Sequence, residues 1–108
     1  MEQLNITEKK GSDYMMLEVQ GTVNSYTFND FQSKINAYIA RTNLCIDMSK
    51  VTNLSSAGLG VLMTAHEDAS DNNRKLFILK PSEVVRMALQ STGFISSFNI
   101  INTTSEIQ

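Results

Sequence analysis

The sequence predicts an α/β domain: a small mixed β-sheet, antiparallel in an N-terminal hairpin and parallel elsewhere, packed with about three to four helices. Three observations lead there. The chain has 108 residues and 42% hydrophobic content, enough for one packed core and too little for two, so residues 1–108 are expected to form a single domain. Stretches of strand and helix period follow one another in the order β-β-α-β-α-β-α-β. A short turn joins the first two strands, which makes them antiparallel. Helices separate the later strands, which makes those parallel.

Residues 3 to 9 (QLNITEK) and 13 to 20 (DYMMLEVQ) alternate apolar with polar across the turn KGS, and Gly21 is expected to close the second strand. Thr27 stands where a helix cap is needed. After it, FNDFQSKINAYIAR sets Phe28, Phe31, Ile35 and Ile39 at helical spacing. A third strand follows at 43 to 49 (NLCIDMS), then a turn containing VTNLSS, then a helix from 56 to 69. DNNR breaks the chain before KLFILK, a short apolar strand at 75 to 80. Pro81 suits the first turn of a third helix, PSEVVRMALQST, which Gly93 ends. FNII at 98 to 101 forms the last strand, and TTSEIQ a frayed turn.

Composition excludes several function classes. Nine basic residues are scattered through a chain of net charge −2, which is no electrostatic footprint for nucleic acid. No apolar run approaches the roughly 20 residues that cross a bilayer, and the N-terminus lacks the apolar core of a signal peptide. A single cysteine, Cys45, sits mid-strand among apolar neighbours, so a cytoplasmic, reduced protein with a buried bystander thiol is expected. Matches to the N-glycosylation pattern at Asn5, Asn53 and Asn102 are then chance.

Catalytic chemistry finds no footing either. The one histidine, His66, lies ten residues after Ser56 on the same helix, about 15 Å away at ~1.5 Å per residue, so the two form no nucleophile–base pair. One Cys and one His give no metal cluster. The Gly-Leu-Gly at 58 to 60 lacks the third glycine of a dinucleotide fingerprint, and no phosphate-loop lysine is present. The chain is read as no enzyme, with no cofactor and no metal.

Attention therefore falls on VTNLSSAGLG, where two serines meet the start of a helix. At about 100° per residue, Gly58, Val61, Leu62, Ala65 and Ala69 share the side that faces the sheet. Ser56, Gly60, Met63 and Glu67 share the opposite side, with Leu59 on its shoulder. An outer face this poor in charge has the character of a protein-contact patch. Ser55 or Ser56 serves as an ordinary helix cap on the plainest reading. The same position also favours a phosphate, because the free N–H groups and the helix dipole attract negative charge.

IDMSKVTNLSSAGLGVLMTAHEDA resembles the signature of the STAS family, the anti-sigma factor antagonists: a strand ending in Asp-Leu-Ser, then Asp-Ser-Ser/Thr/Ala-Gly-Leu-Gly and a helix. GTVNSYT at 21 to 27 is similar to the family's Gly-Glu-Leu-Asp-x-x-Thr, and LFILKPSEVVRMALQSTGFISSFNI to its closing segment. The resemblance covers nearly the whole chain and implies a STAS-like fold. It also implies a partner switch. Such a protein binds a kinase of the histidine-kinase-like ATPase fold that acts as an anti-sigma factor, and so releases a sigma factor. The kinase phosphorylates the antagonist on a serine, which ends the association, and a PP2C-type serine phosphatase restores it.

Mapped onto this chain, the acceptor is Ser56, with Ser55 the alternative. The partner surface comprises Asn24, Ser55, Ser56, Ala57, Leu59, Gly60 and Met63. Two family acids are replaced, one by Ser55 and one by Asn24, which removes negative charge from the region the kinase would meet. The alternative function is a STAS binding module without phosphorylation, a scaffold or an accessory subunit of a lipid transporter.

Overall fold

The computed structural model describes residues 3–93 and 95–107. Strands β1 (Leu4–Lys10), β2 (Tyr14–Val23), β3 (Asn43–Leu54), β4 (Leu76–Leu79) and β5 (Asn99–Ile101) form one sheet in the order β1-β2-β3-β4-β5. β1 runs antiparallel to β2, and every later pair is parallel. Helices α1 (Phe28–Asn36), α2 (Ser56–Asp71) and α3 (Glu83–Ser91) fill the crossovers, and 3₁₀ turns occupy Ile95–Ser97 and Thr104–Glu106. The expected element order and mixed sheet are found.

Each crossover advances the chain by one strand in the same direction. With the right-handed connection that twisted strands impose, all three helices must then lie on one face. The main core bears this out: Leu17, Val19, Leu44, Ile46 and Ile78 of the sheet meet Phe31 and Ile35 of α1, Leu62 and Ala65 of α2, and Val85 and Leu89 of α3. The opposite face holds a smaller cluster of Met16, Cys45, Phe77, Leu79 and Ile101, against which Tyr14 and Ile107 pack. That explains the unbroken apolar run of β4, buried on both sides. Burial, with the Asp47 carboxylate adding to it, pushes the Cys45 thiol up to about 12. The thiol therefore stays protonated and inert at neutral pH.

Several local expectations are corrected. β3 does not stop at residue 49 but runs on to Leu54, because β2 continues beside it through Gly21 to Val23. Two register shifts, between Glu18 and Gln20 and between Gly21 and Thr22, let the strands stay paired to the Val23–Leu54 rung. Gly21 thus sits inside β2 rather than closing it. The Thr27 side chain does not cap α1; its hydroxyl donates to the Thr22 carbonyl (2.8 Å) and accepts from the Asn24 N–H (2.9 Å). Regular α1 ends at Asn36, although Ile39 still bonds back to Ile35 (2.9 Å) and stays buried.

Pro81 precedes α3 instead of opening it. Ser82 is the cap, and its hydroxyl donates to the Val51 carbonyl (2.7 Å), pinning α3 to the extended end of β3. As far as Ile107 the tail is more ordered than a frayed turn: the Glu106 carboxylate accepts from the Asn102 and Thr103 N–H groups (2.7 and 2.9 Å). Phe94, part of the closing segment that resembles the family, lies outside the described residues.

Candidate functional site: the start of α2

Val23 and Leu54 end their strands side by side, and the Ser55 N–H donates to the Val23 carbonyl (2.8 Å). This bond carries the sheet ladder one residue past β3 and fixes where α2 begins. Ser55 is the N-cap, in extended conformation, and its hydroxyl accepts from the Gly58 N–H at 3.4 Å. Its carbonyl accepts from Leu59 (2.9 Å). The first turn also needs Gly58: a Cβ there would lie 2.5 Å from Val23 Cγ1 and 2.7 Å from Leu54 Cδ1. The helix thus approaches the two strand ends closely at Gly58.

The two serines separate in role. Ser55 is half-buried and committed to the cap, whereas Ser56, the first helical residue, is exposed. Among the described residues no partner engages the Ser56 hydroxyl. Of the two, only Ser56 offers its oxygen outward beside the free N–H groups of a helix start.

The inward stripe falls as expected, with Gly58, Val61, Leu62, Ala65 and Ala69 all buried. The outer side is less uniform than the helical projection implies. Ser56, Gly60 and Glu67 are exposed, whereas Ala57, Leu59 and Met63 are half-buried, the last two packed against the main core. Gly60 is the open centre of this patch, since among the described residues nothing beyond its chain neighbours and its own helix backbone lies within 4 Å of where its Cβ would be. Gly60→Ala is therefore expected to stabilise the fold by about 1 kcal/mol, the ordinary helix-interior difference. A higher urea midpoint checks this; an unchanged or lower one would mean that the open space is not as described.

Asn24 lies beside this helix start, one residue past the carbonyl that Ser55 bonds. Its side-chain oxygen accepts from the N–H groups of Tyr26 (2.8 Å) and Thr27 (3.1 Å), and its carbonyl accepts from Phe28 (2.8 Å). Asn24 thus holds an Asx turn that leads into α1, using an amide oxygen as an acid would use its carboxylate. Tyr26, which sequence reasoning did not single out, projects from that turn with 90% of its surface exposed. The turn residues were legible; that an aromatic would stand out from them was not, because periodicity says nothing about side chains in an irregular loop.

His66 is far from any role with Ser56. Its ring packs on Phe98 at 5.2 Å between centroids, and both line a groove of about 290 Å³ with Met63, Glu67 and Ser97. Among the described residues no group of acidic, His and Cys side chains is placed to hold a metal ion, and no helix is long and apolar enough to cross a membrane.

Comparison with known proteins identifies the family and the fold. The sequence pattern described as the STAS domain matches residues 3–107. An anti-sigma factor antagonist from Mycobacterium paratuberculosis superposes with a TM-score of 0.84 at 21% identity, covering 96% of this chain and 90% of that one. The Bacillus cell fate determinant SpoIIAA, in its phosphorylated form, gives 0.71 at 16% identity over 98% and 95% of the two chains. A serine-to-glutamate variant of RsbS from Moorella thermoacetica gives 0.75 at 15% identity over 94% and 89%.

Proposed function

Because the chain belongs to the STAS domain family, we propose that it is an anti-sigma factor antagonist controlled by phosphorylation of Ser56. In its bare form it binds a histidine-kinase-like ATPase anti-sigma factor and frees that protein's sigma factor, as a non-enzymatic partner in the cytoplasm. Phosphate on Ser56 ends the association, and a PP2C-type serine phosphatase restores it. The observation that carries this reading is the division of labour at the helix start, where Ser55 caps and Ser56 stands exposed. Two structural neighbours support it, one a phosphorylated form and one a serine-to-glutamate variant.

The physical basis is a site that tolerates phosphate alone and rejects it in a complex. In the free protein, the helix N-terminus stabilises the added charge by about 0.3–1 kcal/mol. In a complex, nearly two negative charges would be desolvated against the Leu59, Gly60 and Met63 surface, with no cation on this helix's first turn to pair with them. The switch needs no refolding.

Mapping phosphate by mass spectrometry on the protein from its own cells, in growth and under stress, tests the reading. Phosphate on Ser56 with changing occupancy is the expected result. The second reading, a constitutive STAS binding module, is favoured by the neutral residues Ser55 and Asn24 at the family's acidic positions. A peptide that stays bare while an active kinase is present would select it.

A further inference from the structure

Among the described residues, the large apolar side chains that stand exposed are Tyr26, Val84 and Met87. Tyr26 is the most exposed of them, at 90%. It is not on a floppy loop. Its own N–H is bonded to Asn24 Oδ1 at 2.8 Å, Thr27 closes the same turn, and the turn continues directly into α1. The turn sits beside the candidate site, because Val23 carries both Asn24 along the chain and the Ser55 N–H across the ladder. A large amphipathic ring with few rotatable bonds, presented on a fixed backbone, is the kind of group that dominates protein interfaces.

Charge gives the second observation. Residues 19 to 29 and 51 to 65, the two segments that meet at this end of the sheet, contain no acidic or basic side chain. Interface cores are depleted in charge in the same way, while rims are not. A partner fitting these segments presents an uncharged face with an apolar cleft. A strongly basic or acidic face would leave its own charges unpaired there.

We propose that Tyr26 is the anchoring residue of the docking surface, its ring entering an uncharged cleft on the ATPase that reads Ser56. The proposal rests on the function inferred above and adds to it the residue that sets partner choice and the neutral character of the contact. The Ser56 face alone is shallow, built of serine, glycine and two half-buried side chains. Tyr26 supplies the projecting group it lacks.

The test is titration of the purified histidine-kinase-like ATPases of the same cell with the full chain, its Tyr26→Ala and its Tyr26→Phe variants, at low and high salt. Tyr26→Ala is expected to weaken binding about 30-fold or more, as loss of a hot-spot aromatic does, with an unchanged melting temperature because the residue is 90% exposed. Tyr26→Phe should retain most of the affinity. Raising salt from about 50 to about 500 mM should change the wild-type Kd by less than about threefold, since screening acts on charges. Wild-type binding that Tyr26→Ala leaves within twofold overturns the anchor and spares the switch. A steep salt dependence overturns the neutral contact. If the wild type binds none of these ATPases, the function and the anchor fall together.

Discussion

Gly21→Ala is expected to remove about 3 kcal/mol of stability, a large share of what a domain of this size holds. Gly21 has φ +104° within β2, two residues before its end, paired to Leu4 on one side and Val51 on the other. An L side chain resists this backbone region by about 1–2 kcal/mol. The greater cost is steric, since a Cβ would lie 1.9 Å from the Gln3 carbonyl oxygen and 3.1 Å from its carbon. Those are backbone atoms, which no rotamer change can move aside. Relief requires pulling the start of β1 away from the sheet, which opens the edge pairing at Leu4. For a domain of this size the loss corresponds to a melting temperature lower by roughly 12–20 °C. Urea titration followed by circular dichroism reads it directly; a loss under about 1 kcal/mol, the ordinary effect of a single substitution, would show that β1 yields freely. Gly60→Ala, opposite in sign, is the internal control for glycine replacement as such.

Ser56→Glu is the second large effect, and it acts on binding. The variant is expected to lose about 100-fold or more in affinity for the ATPase proposed as its partner, about 2.7 kcal/mol, within the range for an unpaired charge left in an interface. Its own stability should be unchanged or slightly raised, because a carboxylate in the first turn suits the helix dipole. Ser55→Ala separates the two serines: it should lower stability by about 0.5–1 kcal/mol through loss of a cap whose bond is already long at 3.4 Å, while binding persists. Calorimetric titration alongside thermal melts distinguishes these. Equal binding by wild type and Ser56→Glu would refute the electrostatic switch.

The contrast between the two serines also shows how far the sequence reaches. Helix α2 was legible because its face is set by a local repeat: Gly58, Val61, Leu62, Ala65 and Ala69 are buried where a step of about 100° puts them. The hairpin and β4 were legible for the same reason, alternation in one case and an unbroken apolar run in the other. VTNL reads locally as a turn, since Thr52 and Asn53 look like loop residues and nothing nearby says that β2 will continue past Gly21 to pair with Asn53 and Leu54. Thr27 reads locally as a cap, but its hydroxyl is claimed by a carbonyl five residues back, Thr22, which sequence spacing alone does not weigh.

By itself, the sequence determined the order of elements, the direction of each strand pair, the buried stripe of α2 and the pair of serines at its start. These follow from periods of two and about 3.6, from turn residues and from crossover handedness, all of which act over a few neighbours. Only the tertiary structure decided which serine is spent on the helix and which faces outward. That choice depends on the Val23 carbonyl, far away in sequence, taking the Ser55 N–H and so fixing the residue at which β3 stops and α2 begins. The same bond brings the Asn24 turn, which carries Tyr26, to the end of the sheet where α2 begins, a neighbourhood made by strand pairing and invisible along the chain.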